Sequence, residues 1–158
     1  MIIEQVALID APAERVWRSV SDVPTVARFV PGVESVTATG DGGYTGALRV
    51  SVGPISARLE GTLRSAQRDD AQMLARMDIQ ANDRRLGTTV TAKMTMQVTA
   101  VSPGTSRLSV HTDAAVSGRL AQFGQAIIKR QADATMAQFA RDLSAALEKG
   151  DNETAQRG

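Results

Sequence analysis

Between Val33 and Val116, apolar and polar residues alternate with a period of two, the pattern of strands with one covered and one solvated face. The clearest stretch sets Val90, Ala92, Met94, Met96, Val98 and Ala100 against Thr89, Thr91, Lys93, Thr95, Gln97 and Thr99. Just before it, Met73, Ala75, Met77 and Ile79 oppose Gln72, Arg76, Asp78 and Gln80, with Leu74 breaking the polar set. Ile55, Ala57, Leu59, Gly61 and Leu63 alternate with Ser56, Arg58, Glu60, Thr62 and Arg64. Turn signals at Gly40-Asp41-Gly42-Gly43, Gly53-Pro54, Arg68-Asp69-Asp70, Asn82 to Gly87 and Ser102-Pro103-Gly104 divide the region into about six strands.

The flanking segments follow other periods. Ile2 to Ile9 reads as a first strand, and Asp10-Ala11-Pro12 as a helix start with Asp10 as the capping side chain. Val16, Trp17 and Val20 follow at helical spacing, then a second start at Asp22-Val23-Pro24 with Val26, Phe29 and Val30, stopped by Pro31-Gly32. From Gly118 to Lys149, Leu120, Phe123, Ile127, Ile128, Met136, Phe139, Leu143, Ala146 and Leu147 mark the apolar stripe of one long helix. At about 30 residues it spans roughly 45 Å, enough to cross a whole sheet. Gly150 is the expected end of that helix, leaving a single domain over 1–149 and a disordered tail over 150–158. The expected fold class is α+β. A curved antiparallel sheet of about seven strands wraps around a long C-terminal helix, with two short helices between the first and second strands.

Composition narrows the chemistry. The 158 residues suffice for one domain with a real core, and 18 Lys and Arg against 17 Asp and Glu leave a charge of +1, too little for a phosphate-binding field. Trp17, Phe29, Tyr44, Phe123 and Phe139 are too scattered to stack nucleic-acid bases. With no Cys and one His, thiolate and multi-His metal sites are excluded, and no metal or cofactor is expected. His111 shares parity with Ser109 and Asp113, which places it on the solvated face and away from any catalytic constellation. The inward positions of the best strands carry no carboxylate, so no catalytic residue is assigned. The longest apolar run, Val6 to Ile9, cannot span a bilayer, and the N-terminus lacks the flank of a signal peptide. A cytoplasmic protein is expected.

The functional signal is a wall of methionines. Met73, Met77, Met94 and Met96 fall on the covered face by parity, and unbranched thioethers suit a flexible apolar ligand as well as an irregular core. Ala57, Gly61, Ala75 and Ala92 on the same face leave space beneath the helix. Phe123 and Ile127 on the helix complete the candidate cavity, with Trp17 and Phe29 near its mouth; plain core packing is the competing reading for each. Arg84 and Arg85 form a basic pair in a loop, and Asp69-Asp70 fits turn chemistry.

Four segments carry a family resemblance: Ala11-Pro12-Ala13-Glu14-Arg15-Val16-Trp17, Phe29-Val30-Pro31-Gly32-Val33-Glu34-Ser35-Val36, Val50-Ser51-Val52-Gly53-Pro54-Ile55-Ser56-Ala57-Arg58 with Gly61, and Gly118-Arg119-Leu120-Ala121-Gln122-Phe123-Gly124. In this order they resemble the G subunit of carbon monoxide dehydrogenase, within the START and Bet v 1 superfamily of helix-grip proteins. The chain departs from that family at Asn82-Asp83-Arg84-Arg85-Leu86-Gly87, where relatives often carry a Gly-rich connection, and it lacks the longer C-terminus of some relatives. The resemblance implies a non-catalytic accessory protein of a molybdenum hydroxylase system. It would bind an apolar small molecule such as an isoprenoid quinone or lipid, with at most transient membrane contact. The alternatives are an interaction, maturation or recruitment factor for the hydroxylase without a small ligand, and an enzyme of the cyclase or hydrolase type. A homodimer through exposed sheet edges is also open.

Overall fold

The computed structural model describes residues 1–157, with side chains through Gly150. Its elements are β1 (Ile2–Ile9), α1 (Ala13–Val20), α2 (Val23–Ala27), β2 (Val33–Ala38), β3 (Gly43–Val52), β4 (Ile55–Asp69), β5 (Leu74–Asp83), β6 (Thr88–Ser102), β7 (Thr105–Ser117), a 3-10 turn (Arg119–Phe123) and α3 (Gly124–Arg157). The strands form one antiparallel sheet in the order β1-β7-β6-β5-β4-β3-β2. The period of two thus gives the strands it predicts, and α3 lies against β1 and meets β3, gripped between two sides of the curled sheet.

Four bonds align α3 with β1 and α1. Gln125 Nε2 donates to the Ile2 carbonyl (2.8 Å), Gln5 Nε2 to Asp133 Oδ1 (3.2 Å), the Asp10 amide to Ser144 Oγ (3.1 Å), and Arg15 Nη1 to the Leu147 carbonyl (3.1 Å). The positions ascend together, so helix and strand run parallel.

The local sequence explains where the elements differ from expectation. The long helix does not begin at Gly118. Gly118 (φ 78°) and Gly124 (φ 77°) both adopt the left-handed region, which separates a 3-10 turn from the helix proper. A Cβ on Gly118 would lie 2.0 Å from the Gly87 carbonyl oxygen, so the close crossing of the two loops requires glycine there. At its other end α3 continues through Gly150, since one glycine inside a helix costs only about 1 kcal/mol against alanine. The disorder expected over 150–158 falls, Gly150 aside, outside the residues described in full.

Asp10 does not cap α1. Pro12 is the cap residue, with no side-chain bond, while Asp22 does cap α2 by accepting from the Thr25 amide (3.3 Å). Phe29 and Val30 lie beyond α2. Met73 is in the turn before β5 at φ 52°, and its carbonyl accepts from the Val98 amide (3.0 Å).

The main core gathers at one end. Ile9, Val16 and Leu143 are almost wholly excluded from water (0%, 0% and 1% exposed), and Trp17, Val20, Met96, Val98, Leu108, Val110 and Phe139 surround them. Each such side chain contributes about 1.5–3 kcal/mol by burial. A smaller cluster at the opposite end joins Val52, Ala57, Leu86 and Leu120 with Val50, Ile55, Val116 and Phe123.

Candidate functional site: an apolar trough between two cores

Between the clusters, the sheet's inner face is less completely covered. Leu48, Leu59, Leu63, Ile79 and Val90 point inward by strand parity and are only half-buried, and neither cluster includes them. They sit in continuous cross-strand rows. Ala114 faces Ala92, Ala92 faces Ile79, Ile79 faces Leu63 and Leu63 faces Tyr44. The next row runs Val116, Val90, Ala81, Gly61, Gly46. Its small residues keep the floor low. At Gly61 a Cβ would stand 1.9 Å from the Gln80 carbonyl oxygen and 2.6 Å from the Ala81 Cα, so the strands approach there as only glycine permits.

The first turns of α3 do not seal this floor. Ile127, expected to face the sheet, is 41% exposed, and Ile128 is half-buried. What results is an apolar trough, walled at one end by the α1–α2 core and at the other by the Phe123 cluster.

The structure does not gather the eight candidate residues around one point, and it draws some of them into the packed core. Met96 and Trp17 are buried in the main core, and Met73, Met77, Met94 and Phe29 pack half-buried against it. Met77 and Met94 are directly opposite one another, two residues along the strands from Ile79 and Ala92 on the same face, and so stand where the packed core meets the floor. Phe123 joins the second cluster. Trp17 is tied in place: its Nε1 donates to Asp70 Oδ1 (2.9 Å), and the Arg68 guanidinium lies 5.7 Å from its ring centroid. Arg68, which donates to Asp70 (2.8 Å), and then the indole hold that carboxyl below the usual carboxylate range.

Leu48, Leu59, Leu63, Ile79, Val90 and Tyr44 are the floor residues that the methionine pattern omits, although the same parity contains them. Parity also contains one inward carboxylate, at the end of β5. Asp83 is buried and accepts from the Arg58 amide (2.9 Å) and the Leu86 amide (3.2 Å). The Arg58 bond is the chief cause holding its pKa down, and its role is to close the turn before β6. Asp69 accepts from the Gln72 amide (3.0 Å), as turn chemistry predicts, and His111 is on the outer face with its Nδ1 3.1 Å from Glu4 Oε1. Among the described residues no three His, Cys, Asp or Glu side chains come together as metal ligands.

Two further concavities lie outside the trough. One of about 870 Å³ on the outer face is lined by Thr37, Thr45, Thr62 and Arg58 among others, with Arg84 and Arg85 also lining it. Its charges are largely spoken for: Arg58 pairs with Glu34 (2.7 Å) and Glu60, and Arg85 Nη2 donates to the Ser56 carbonyl (2.7 Å). The other, about 450 Å³, runs between β1 and α3.

This architecture is the helix-grip fold. It is shared by a conserved protein of Geobacillus kaustophilus (TM-score 0.83, 15% identity, covering 94% of this chain and 96% of that one). A Thermus thermophilus protein (TM-score 0.66, 15% identity, 92% and 99%) and a Streptomyces aromatase/cyclase (TM-score 0.59, 16% identity, 98% and 95%) also share it. No curated protein sequence matches the chain. Residues 7–148 match the family of the carbon monoxide dehydrogenase G subunit (CoxG), and the chain belongs to that family. No helix among the described residues is long and apolar enough to cross a membrane.

Proposed function

We propose that the chain is a non-catalytic accessory protein of a carbon monoxide dehydrogenase-type molybdenum hydroxylase system, and that it holds an apolar small molecule, quinone- or lipid-like, in the trough. The observation that carries this reading is the half-buried apolar floor of Leu48, Leu59, Leu63, Ile79 and Val90 lying between two packed clusters. Such a surface gains about 25 cal/mol for each Å² it removes from water on binding, before association costs. Met77 and Met94 form the adaptable end wall, with Phe123 and Ile127 at the other end. Tyr44, at the end of the Ile79–Leu63 row, supplies a hydroxyl able to orient a polar headgroup.

The cyclase activity named for the Streptomyces neighbour is not carried over, because the inward carboxylate, Asp83, is committed to two backbone amides. The test is titration of the purified chain with a short-chain quinone and a fatty acid, followed by Met94→Arg with its thermal transition as the control for folding. Saturable binding that a folded Met94→Arg protein loses supports the assignment. Unchanged affinity in that folded variant removes Met94 from the wall.

A further inference from the structure

β1 is an edge strand, and its ladder decides which backbone groups are left over. Met1 and Ala114 exchange both of their backbone bonds (2.9 and 2.8 Å), which makes them a hydrogen-bonded pair. In an antiparallel ladder such pairs recur at every second residue. Ile3, Gln5, Ala7 and Ile9 therefore turn N–H and C=O toward β7, and Ile2, Glu4, Val6 and Leu8 turn theirs to the free edge. α3 clips that edge at both ends, Gln125 at the Ile2 carbonyl and Ser144 at the Asp10 amide. Between the clips, the N–H and C=O of Glu4, Val6 and Leu8 have no partner among the described residues. They border the groove of about 450 Å³ beside α3. Val6 and Leu8, at 64% and 58%, are the most exposed large apolar side chains among the described residues.

The other edge strand is protected differently. β2 has a register shift between Val33 and Ser35, and its Glu34 binds Arg49 (3.0 Å) and Arg58 (2.7 Å). Bulges and charges of this kind discourage pairing; β1 is unbulged and carries Val6 and Leu8 on its outer face.

We infer that β1 pairs antiparallel with β1 of a second copy of this chain, about a two-fold axis at Val6. The open stretch is itself centred on Val6, so Val6 meets its own counterpart and Glu4 meets the second copy's Leu8. Every unpaired N–H and C=O of Glu4, Val6 and Leu8 is then satisfied in both copies at once. Sliding two residues one way calls on the Ile2 carbonyl that Gln125 already occupies. Sliding the other way sets Glu4 against Asp10 of the second copy, like charges on one face, and calls on the amide that Ser144 holds. The centred register also has complementary charge. Arg107, exposed and opposite Leu8 on β7, lies two strand spacings, about 10 Å, from Glu4 of the second copy, within reach of the two long side chains. Val6 and Leu8 of both copies form one apolar strip on the outer face.

Sedimentation equilibrium of the full chain over a wide concentration range tests this, alongside Val6→Lys and Val6→Pro. Proline is informative because the Val6 N–H points to the free edge, so the β1–β7 ladder loses no bond. The wild type is expected to show a monomer–dimer equilibrium that both variants weaken by more than about tenfold, with unfolding midpoints of the dilute proteins unchanged. Should Val6→Pro fail to fold, Val6→Lys carries the comparison. A wild type monomeric up to about 1 mM, or a dimer equally tight in the folded variants, overturns the inference.

Discussion

The two halves of the sheet's inner face use the same kinds of residue to opposite effect. At the α1–α2 end, Ile9, Val16, Trp17, Met96 and Leu143 interlock until almost nothing is left accessible. Over the middle of β3 to β6, Leu48, Leu59, Leu63, Ile79 and Val90 face the same way and remain half-buried. The difference lies in what covers them. The packed end receives two short helices and the last turns of α3, whereas the open half receives the first turns of α3, held to β1 through polar side chains rather than pressed onto the floor. One end therefore supplies stability, and the other leaves apolar surface incompletely covered, as the proposed ligand site requires.

The same truncation should read differently at the two ends. Leu143→Ala, in a site 1% exposed, is expected to cost about 2–5 kcal/mol in urea unfolding and to leave ligand affinity of the folded protein nearly unchanged. Leu63→Ala, on the floor, should cost less than about 1.5 kcal/mol, since less area leaves water there, but weaken a bound quinone or lipid by about tenfold in an equilibrium titration. Equal stability losses at the two positions would erase the distinction.

A smaller effect sharpens the account of the closed end. Asp70→Ala removes the acceptor of the Trp17 indole. It should shift Trp17 fluorescence toward a more mobile, wetter environment while the floor continues to bind ligand. If Trp17 instead caps the ligand mouth, binding falls in step with that shift.

The smallest effect concerns pH. Asp41 is held down to about 2 by the Thr39 hydroxyl first and then by Arg64, against an ordinary value of 3.8. A carboxylate lowered in the folded state contributes stability above its unfolded value and loses it as pH falls, here from about 4 toward about 2. Asp41 is exposed in the β2–β3 turn, so Asp41→Asn should flatten only a slight part of the acid-unfolding curve, with no change in ligand affinity at neutral pH.

Much of this contrast is legible in the residues. Alternation through β4, β5 and β6 places the inner face correctly, and the positions of Met77 and Met94 beside the floor follow from it. The division of that face into closed and open halves is not legible, because parity says which way a side chain points and nothing about what lands on it. The apolar stripe of α3 implies a helix seated along its whole length, yet the paired left-handed glycines at 118 and 124 detach the 3-10 turn and leave Ile127 exposed. Asp83 is hidden for a related reason: it falls at the last inward position of β5, inside a segment that reads as a turn, and only the fold brings the Arg58 amide to it. Asp70 reads as turn chemistry alone because its partner Trp17 is distant in sequence.

The most direct test of the central claim is native mass spectrometry of the full chain, with organic extraction, on the wild type and on Leu63→Arg. Arginine on a half-exposed floor can carry its guanidinium to water, so the variant should fold. An apolar molecule should be bound near one per chain in the wild type, or taken up from added quinone or lipid, and be lost from folded Leu63→Arg. An empty wild type that binds neither, or a folded Leu63→Arg protein that retains the ligand, would contradict that claim.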